Sequence, residues 1–152
     1  MTTPSSQNGV ADDLPSRGAH RATSMQFADL KAEVLRALNE GDFGDARVHD
    51  GRVIAVKTTP LRNNASAIVV GTAALPAGYQ TPAHHHAAEE VAVILSGSGS
   101  VEIDGELFPV REGTVLVTPA DSTHITSADE SGPLVVLWFY APPGSEGRWI
   151  RD

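Results

Sequence analysis

Three histidines and one glutamate stand out because their types and spacing could form a metal site. His84 and His86 are one residue apart, Glu90 follows four residues after His86, and His124 lies further along the chain. In extended backbone alternate side chains share a face, so His84 and His86 point the same way and His85 points away. Imidazole nitrogens and a carboxylate oxygen suit Fe, Mn, Ni, Cu or Zn. We expect these four residues to bind a divalent transition metal, with positions left open for water or substrate.

The same residues resemble the first motif of the cupin superfamily, G-x5-H-x-H-x3-E-x6-G. Every fixed position of the motif is matched, by Gly78, His84, His86, Glu90 and Gly97. The resemblance covers roughly residues 59–142. It implies an all-β, single-domain, cupin-type β-barrel (a jelly roll) in which the histidines and the glutamate hold a metal.

A second cupin motif, G-x5-P-x-G-x2-H-x3-N, is matched in part by Gly113, Pro119 and His124. Asp121 stands where the motif has glycine, and Ala128 stands where it has asparagine. Aspartate tolerates the left-handed turn conformation better than most residues, so we expect the turn to survive. The asparagine is not a metal ligand in cupins, so its loss leaves the predicted site intact.

Short segments rich in Val, Ile and Leu alternate with Gly, Pro, Asn and Asp, which is typical of a β-sandwich or small barrel. The predicted strands are residues 53–58, 66–75, 90–95, 100–103, 106–110, 114–118, 124–127 and 134–140. Asp104 and Gly105 suit the two positive-φ positions of a tight hairpin. The residues therefore predict, independently of the resemblance, the kind of fold that the resemblance implies.

The chain before the barrel has a different character. Residues 1–22 are mostly Ser, Thr, Pro, Gly and Asp and predict a flexible tail. Thr23 or Ser24 can cap a helix that Gly41 ends. Its apolar residues recur at helical spacing: Phe27, Leu30, Val34, Leu35 and Leu38. We expect a helix and linker over residues 23–50, with the helix on the barrel exterior, and the barrel itself over residues 51–152.

Composition limits the partners. The chain has 11 basic and 19 acidic residues and a formal net charge of −8, which disfavours binding to nucleic acid and to anionic membrane surfaces. No apolar run is long enough to span a bilayer. Cysteine is absent, which excludes disulfides and thiolate ligands. The absence of the apolar run of a secretory signal favours a cytoplasmic location.

Regular strands would place further residues around the metal. The expected pocket residues are Gln80, Ala92, Ile94, Thr126 and one face of the last strand, carrying either Trp138 or Phe139. Such a pocket is mainly apolar and favours a small organic molecule that chelates the metal through its own oxygens. Three cationic residues precede the first motif, Arg52, Lys57 and Arg62, and none has a spacing that demands an anion-binding role.

The role of Glu90 stays open between metal ligand and general base. Glu90 or Tyr79 could move a proton. The resemblance favours an Fe(II)-type dioxygenase, with a non-oxidative Lewis-acid enzyme (isomerase, polyketide-type cyclase or lyase) as the alternative, and a non-catalytic binding cupin as a second alternative. Cupins commonly pair through their N-terminal side, so we expect a homodimer.

Overall fold

The computed structural model describes residues 22–150. The helices and strands are α1 (Phe27–Glu40), β1 (Ala46–His49), β2 (Arg52–Thr58), β3 (Val69–Leu75), β4 (Glu89–Ser96), β5 (Ser98–Ile103), β6 (Glu106–Arg111), β7 (Val115–Thr118), β8 (His124–Ala128), β9 (Leu134–Ala141) and α2 (Gly147–Ile150). A 3₁₀ turn, Pro60–Arg62, follows β2. The eight predicted strands correspond to β2 through β9.

The strands form two antiparallel sheets. The larger sheet has the order β1-β2-β3-β9-β4-β7, and the smaller sheet has the order β6-β5-β8. The chain crosses between the sheets from β4 to β5, from β6 to β7, from β7 to β8 and from β8 to β9, as in a jelly roll. The predicted all-β barrel with an N-terminal helix is confirmed.

Buried apolar side chains lie on both faces of the larger sheet. The inner cluster lies between the sheets and includes Trp138 and Tyr140 of β9 and Val101 of β5. The outer cluster lies under α1 and includes Leu137, with Phe139 packed against it. Side chains along a strand alternate between faces, so Trp138 and Tyr140 point inward while Leu137 and Phe139 point outward.

Helix α1 covers the outer face of the larger sheet. Leu30 and Val34 are buried there, as predicted, whereas Phe27 is 62% exposed. The helix begins after Gln26, which makes no side-chain cap, so the predicted caps at Thr23 and Ser24 are wrong. The predicted end is confirmed, because Gly41 adopts the left-handed conformation and its N–H donates to a carbonyl of the last turn.

Two turns adopt the conformations that their residues favour. Asp104 and Gly105 have φ values of 48° and 87° and join β5 to β6 in a two-residue hairpin. Asp121, in place of the motif glycine, has a φ of 61°. Both predictions are confirmed.

Two elements occupy segments for which no regular structure was predicted. Strand β1 lies in the expected linker and pairs with β2 at the edge of the larger sheet. Helix α2 follows β9 and carries Trp149, which is buried against the inner cluster. Residues 1–21 lie outside the described residues, so the predicted tail stays a prediction. Among residues 22–150, no helix has the length and apolar character needed to cross a membrane.

Candidate metal centre

Backbone pairing brings the two motifs together. The His84 N–H donates to the His124 carbonyl at 3.2 Å, and the His124 N–H donates to the His84 carbonyl at 2.8 Å. This isolated antiparallel bridge joins the segment before β4 to the first residue of β8. Residues directly opposite in such a pair project to the same face, which explains how distant histidines meet.

Three of the four predicted ligands have their donor atoms within 4.8 Å of one another: His86, Glu90 and His124. Glu90 Oε2 lies 3.0 Å from His86 Nε2 and 3.7 Å from His124 Nε2. His84 lies beside this group, with its ring centroid 4.1 Å from that of His124 and 6.3 Å from that of His86. The exposed His85 points away from it, as predicted.

Each of the three histidines is oriented by a backbone carbonyl two residues away. The Nδ1 atoms of His84 and His86 lie 2.8 Å from the carbonyls of Pro82 and Ala88, and His124 Nδ1 lies 2.9 Å from the carbonyl of Ser122. A carbonyl oxygen only accepts, so Nδ1 carries the proton in each ring. Nε2 is therefore left with a free lone pair, the arrangement typical of metal-binding histidines.

The Nε2 atoms of His86 and His124 both lie close to the Glu90 carboxylate, and this contact is favourable only with a proton or a metal cation among the three groups. Burial lowers the pKa of His84 from 6.5 to about 4, and burial also lowers the pKa of His124. These rings therefore hold protons weakly near neutral pH. A divalent cation would satisfy both nitrogens and the carboxylate together, so the donor set fits a metal.

The donor cluster opens onto a cavity of about 70 Å³ between the two sheets. Four predicted pocket residues line it, namely Ala92, Ile94, Thr126 and Trp138. The remaining lining combines aliphatic side chains, including Ile54, Leu75, Val101, Leu116 and Val136, with polar and aromatic ones. A cavity of this volume suits a small, partly apolar ligand.

Two other residues considered for the pocket, Gln80 and Phe139, do not line the cavity. Phe139 points toward the outer cluster because β9 presents Trp138 and Tyr140 inward. Gln80 is exposed, and Thr81 lines the cavity in its place, because the backbone before β4 is irregular and strict alternation fails there. The placement of Gln80 in the pocket was therefore wrong, and of the two alternatives for β9 it is Trp138, not Phe139, that lines the cavity.

Tyr79, predicted as a proton carrier, lies outside the cavity lining. Its side chain packs partly against the inner cluster, and its hydroxyl donates to the backbone carbonyl of Asp50. That hydroxyl is therefore hydrogen-bonded to the turn that precedes β2. Of the two predicted proton carriers, only Glu90 faces the cavity.

Five cavity residues with polar groups were not placed in the pocket from the sequence: Arg52, Thr81, Thr118, Tyr140 and Trp149. Tyr140 is buried, and burial raises the pKa of its hydroxyl to about 12, so it stays protonated. Arg52 could have been found from parity, since it shares a face of β2 with the inward-pointing Ile54. Trp149 gave no signal, because α2 is too short for a helical pattern.

Comparison with known proteins identifies the part of the chain that matches a known family. Residues 71–140 match the family model described as "Cupin domain". Over 65 residues, 43% of this chain and 43% of the relative, the chain is 38% identical to the dimethylsulfoniopropionate lyase DddW of Ruegeria pomeroyi. Over 139 residues, 88% of this chain and 38% of the relative, it is 32% identical to a gentisate 1,2-dioxygenase of a Ralstonia species.

The fold is also found in a solved structure. A salicylate 1,2-dioxygenase from Pseudaminobacter salicylatoxidans superposes with a TM-score of 0.60 and 20% identity, covering 75% of this chain and 32% of that one. At that identity the match shows a shared fold. The chain spans less than half the length of both curated relatives.

Proposed function

Because residues 71–140 of this chain form a cupin domain, we propose that the protein is a metal-dependent dioxygenase, with Fe(II) held by its histidines and glutamate, that acts on a small chelating organic substrate. The observation that carries the proposal is the convergence of His86, Glu90 and His124, of which Glu90 and His124 also line the cavity. Two histidines and one carboxylate form the ligand set typical of non-haem Fe(II) oxygenases.

The side chains of the site have separable roles in this proposal. His86, His124 and Glu90 would hold the metal, and His84, beside His124, would complete the ligand set. When bound, such a metal supplies the one-electron chemistry with dioxygen that amino-acid side chains lack. The carbonyls of Ala88 and Ser122 fix the imidazoles in the tautomer that leaves Nε2 free.

Glu90 has a second use. Its carboxylate faces the cavity and is only partly buried, so it can take a proton from an enol or hydroxyl of the substrate. The apolar lining, with Ala92, Ile94 and Trp138, would exclude water around the reacting atoms. In this way the chain supplies ligands, one base and a dry pocket.

The relatives favour an oxidative reaction. The similarity to the gentisate 1,2-dioxygenase extends over 88% of this chain, against 43% for the lyase. A non-oxidative alternative rests on that second relative, which is 38% identical over the shorter region. In the alternative, the same ligands would hold a metal that polarises a carbonyl, and Glu90 would remove the proton that a lyase reaction requires.

Oxygen consumption distinguishes these two functions. The purified protein is loaded anaerobically with Fe(II), and dissolved oxygen is followed after adding catechol, acetylacetone or cysteine, which represent catechol-like, β-diketone and thiol substrates. We expect oxygen uptake with at least one chelator in the wild-type protein and none in His86→Ala. Chelator turnover that continues under nitrogen would favour the lyase-type alternative, and a wild-type protein that retains no transition metal would contradict both functions.

A homodimer and a cytoplasmic location accompany this proposal as expectations from the sequence. Light scattering during size-exclusion chromatography measures the first, with a mass of about twice the 16.0 kDa chain expected. Cell fractionation measures the second.

A further inference from the structure

Arg52 is a buried cation that faces the cavity. It begins β2, is 6% exposed, and shares the inward face of that strand with Ile54 and Val56. It also belongs to the cavity lining, together with His84 and His124 of the metal centre. A guanidinium therefore lies within the same small cavity as the predicted metal ligands.

Among residues 22–150, the Arg52 guanidinium makes no hydrogen bond or ion pair. Its Cζ atom lies 5.1 Å from the centroid of the Trp149 ring. The Arg148 guanidinium lies 4.4 Å from the same ring, which adds a second positive charge nearby. By contrast, Lys57 forms ion pairs with Glu33 and Asp45. Arginine stays charged at any physiological pH, and a buried charge without an opposite charge is strongly unfavourable.

The acidic and hydroxyl groups in the cavity do not neutralise Arg52. The Glu90 carboxylate lies next to His86 and His124 and forms no ion pair with Arg52. The Tyr140 hydroxyl is protonated and accepts a hydrogen bond from Trp149 Nε1 at 3.4 Å. The carboxylate of Asp50, two residues before Arg52, acts on its charge but forms no ion pair with it among residues 22–150. The guanidinium donors are therefore available to an anionic ligand in the cavity.

We propose that Arg52 binds the carboxylate of the substrate, and that the substrate is a small 2-oxo or 2-hydroxy acid whose second oxygen reaches the metal centre. The metal end of this assignment rests on the proposed function, whereas the carboxylate end rests on Arg52 itself. The planar guanidinium matches a carboxylate with two parallel hydrogen bonds. The volume of about 70 Å³ favours a molecule of few carbon atoms.

A matched pair of probes tests the charge requirement. Lactate and lactamide have the same shape and the same 2-hydroxyl group, but only lactate carries a carboxylate. Each is titrated calorimetrically into Co(II)-loaded protein, where the cobalt absorption spectrum also reports whether the hydroxyl reaches the metal. We expect wild-type protein to bind lactate roughly 10- to 100-fold more tightly than lactamide, the range for a charge-assisted bidentate contact.

Substitutions then assign the effect to Arg52. Arg52→Gln should lose most of the preference for lactate over lactamide, and Arg52→Lys should retain part of it, because lysine keeps the charge without the fork. Arg111→Gln is the matched control, since Arg111 is exposed on β6 and outside the cavity lining, and it should behave as wild type. Equal affinities for lactate in Arg52→Gln and wild type would overturn the proposal.

Two further readouts separate the possible failures. Cobalt retention is measured for every variant. Loss of cobalt from wild-type protein would contradict the metal proposal. Retained cobalt with equal affinities for lactate and lactamide would contradict only the role of Arg52. The urea midpoint of ligand-free Arg52→Met should rise, because the substitution removes a largely buried charge that forms no ion pair. A lower midpoint together with unchanged lactate affinity would assign Arg52 to structure and overturn the proposal.

Discussion

His86 Nε2 lies 3.0 Å from Glu90 Oε2, and the backbone carbonyl of Ala88 accepts a hydrogen bond from the opposite nitrogen of the same imidazole. The ring is thus held between a carbonyl that fixes its proton and a carboxylate that leaves room for a cation. His124 repeats the arrangement with the carbonyl of Ser122. The two motifs therefore contribute equivalent donors to one carboxylate.

Removing two of these donors should abolish metal binding. A double variant, His86→Ala with His124→Ala, leaves one carboxylate and the adjacent His84, which is too few donors for a stable site. We expect the metal content to fall from about one equivalent per chain to near zero. Inductively coupled plasma mass spectrometry after dialysis measures it. His85→Ala is the matched control and should keep the wild-type content, and equal metal in the double variant and wild type would contradict the site.

The stability of the metal-free protein should fall in mild acid. Burial lowers the pKa of His84 from 6.5 to about 4, so between these values the unfolded chain takes up a proton that the folded chain refuses. The contribution of His84 to the free energy of unfolding is therefore complete above pH 6.5 and declines as the pH falls toward about 4. His84 is only partly buried, so its share should be well below the ~1.4 kcal/mol per pH unit of a fully desolvated group.

Urea unfolding near pH 7 and near pH 5 measures this dependence. Carboxylates also titrate in that range, so the informative quantity is the difference between variants. His84→Gln should show a smaller loss of stability on acidification than wild type, whereas His85→Gln, at an exposed position, should show the wild-type loss. A wild-type loss in His84→Gln would show that the imidazole does not carry the effect.

Gly71 should not tolerate even one added methyl group. A Cβ atom at this position would lie 2.0 Å from Trp138 Cζ2, so the indole that lines the cavity would have to move. We expect Gly71→Ala to lower the free energy of unfolding by ~1–3 kcal/mol, the usual effect of overpacking. Urea denaturation measures it. Gly132→Ala, where the added methyl meets no atom within 4 Å, should be close to neutral.

The buried Glu146 should be essential for the position of α2. This fully buried carboxylate accepts hydrogen bonds from Thr59 Oγ1, at 2.7 Å, and from the backbone N–H of Gly144. Glutamine can replace only one of these acceptor oxygens, so Glu146→Gln should lower the free energy of unfolding by ~1–3 kcal/mol. Denaturation with tryptophan fluorescence measures the change. The exposed Glu112→Gln is the control, and an equally small effect of both variants would contradict the role of Glu146.

The sequence predicts the parts of this fold that local chemistry decides. Alternating apolar segments correspond to β2 through β9, and Asp104, Gly105 and Asp121 adopt the predicted left-handed conformations. Gly41 ends α1 for the same local reason. By contrast, β1 exists because a short polar segment pairs with β2, and α2 exists because Glu146 and Trp149 hold it. Those causes act between distant parts of the chain, so no local pattern predicts them.

The residues of the candidate site divide in the same way into those that the sequence predicts and those that it does not. Motif spacing is enough to select His86, Glu90 and His124, which the structure brings together. It does not decide which face of β9 points inward, because every residue of that strand is apolar or aromatic. Nor does it select Arg52, whose role is inferred from its burial and from the lack of a hydrogen bond or ion pair within residues 22–150. Which face of a strand points inward, and which charged groups are paired, is decided only in the assembled barrel.

The division of the core by the larger sheet affects how the protein can be altered. Leu30, Val34 and Leu137 pack on the outer face, where they stabilise the barrel without touching the cavity. Ala92 and Ile94 face the other way, into the cavity. Because the inner lining is itself buried core, a substitution there should alter ligand preference and stability together, whereas a substitution in the outer cluster should alter stability alone.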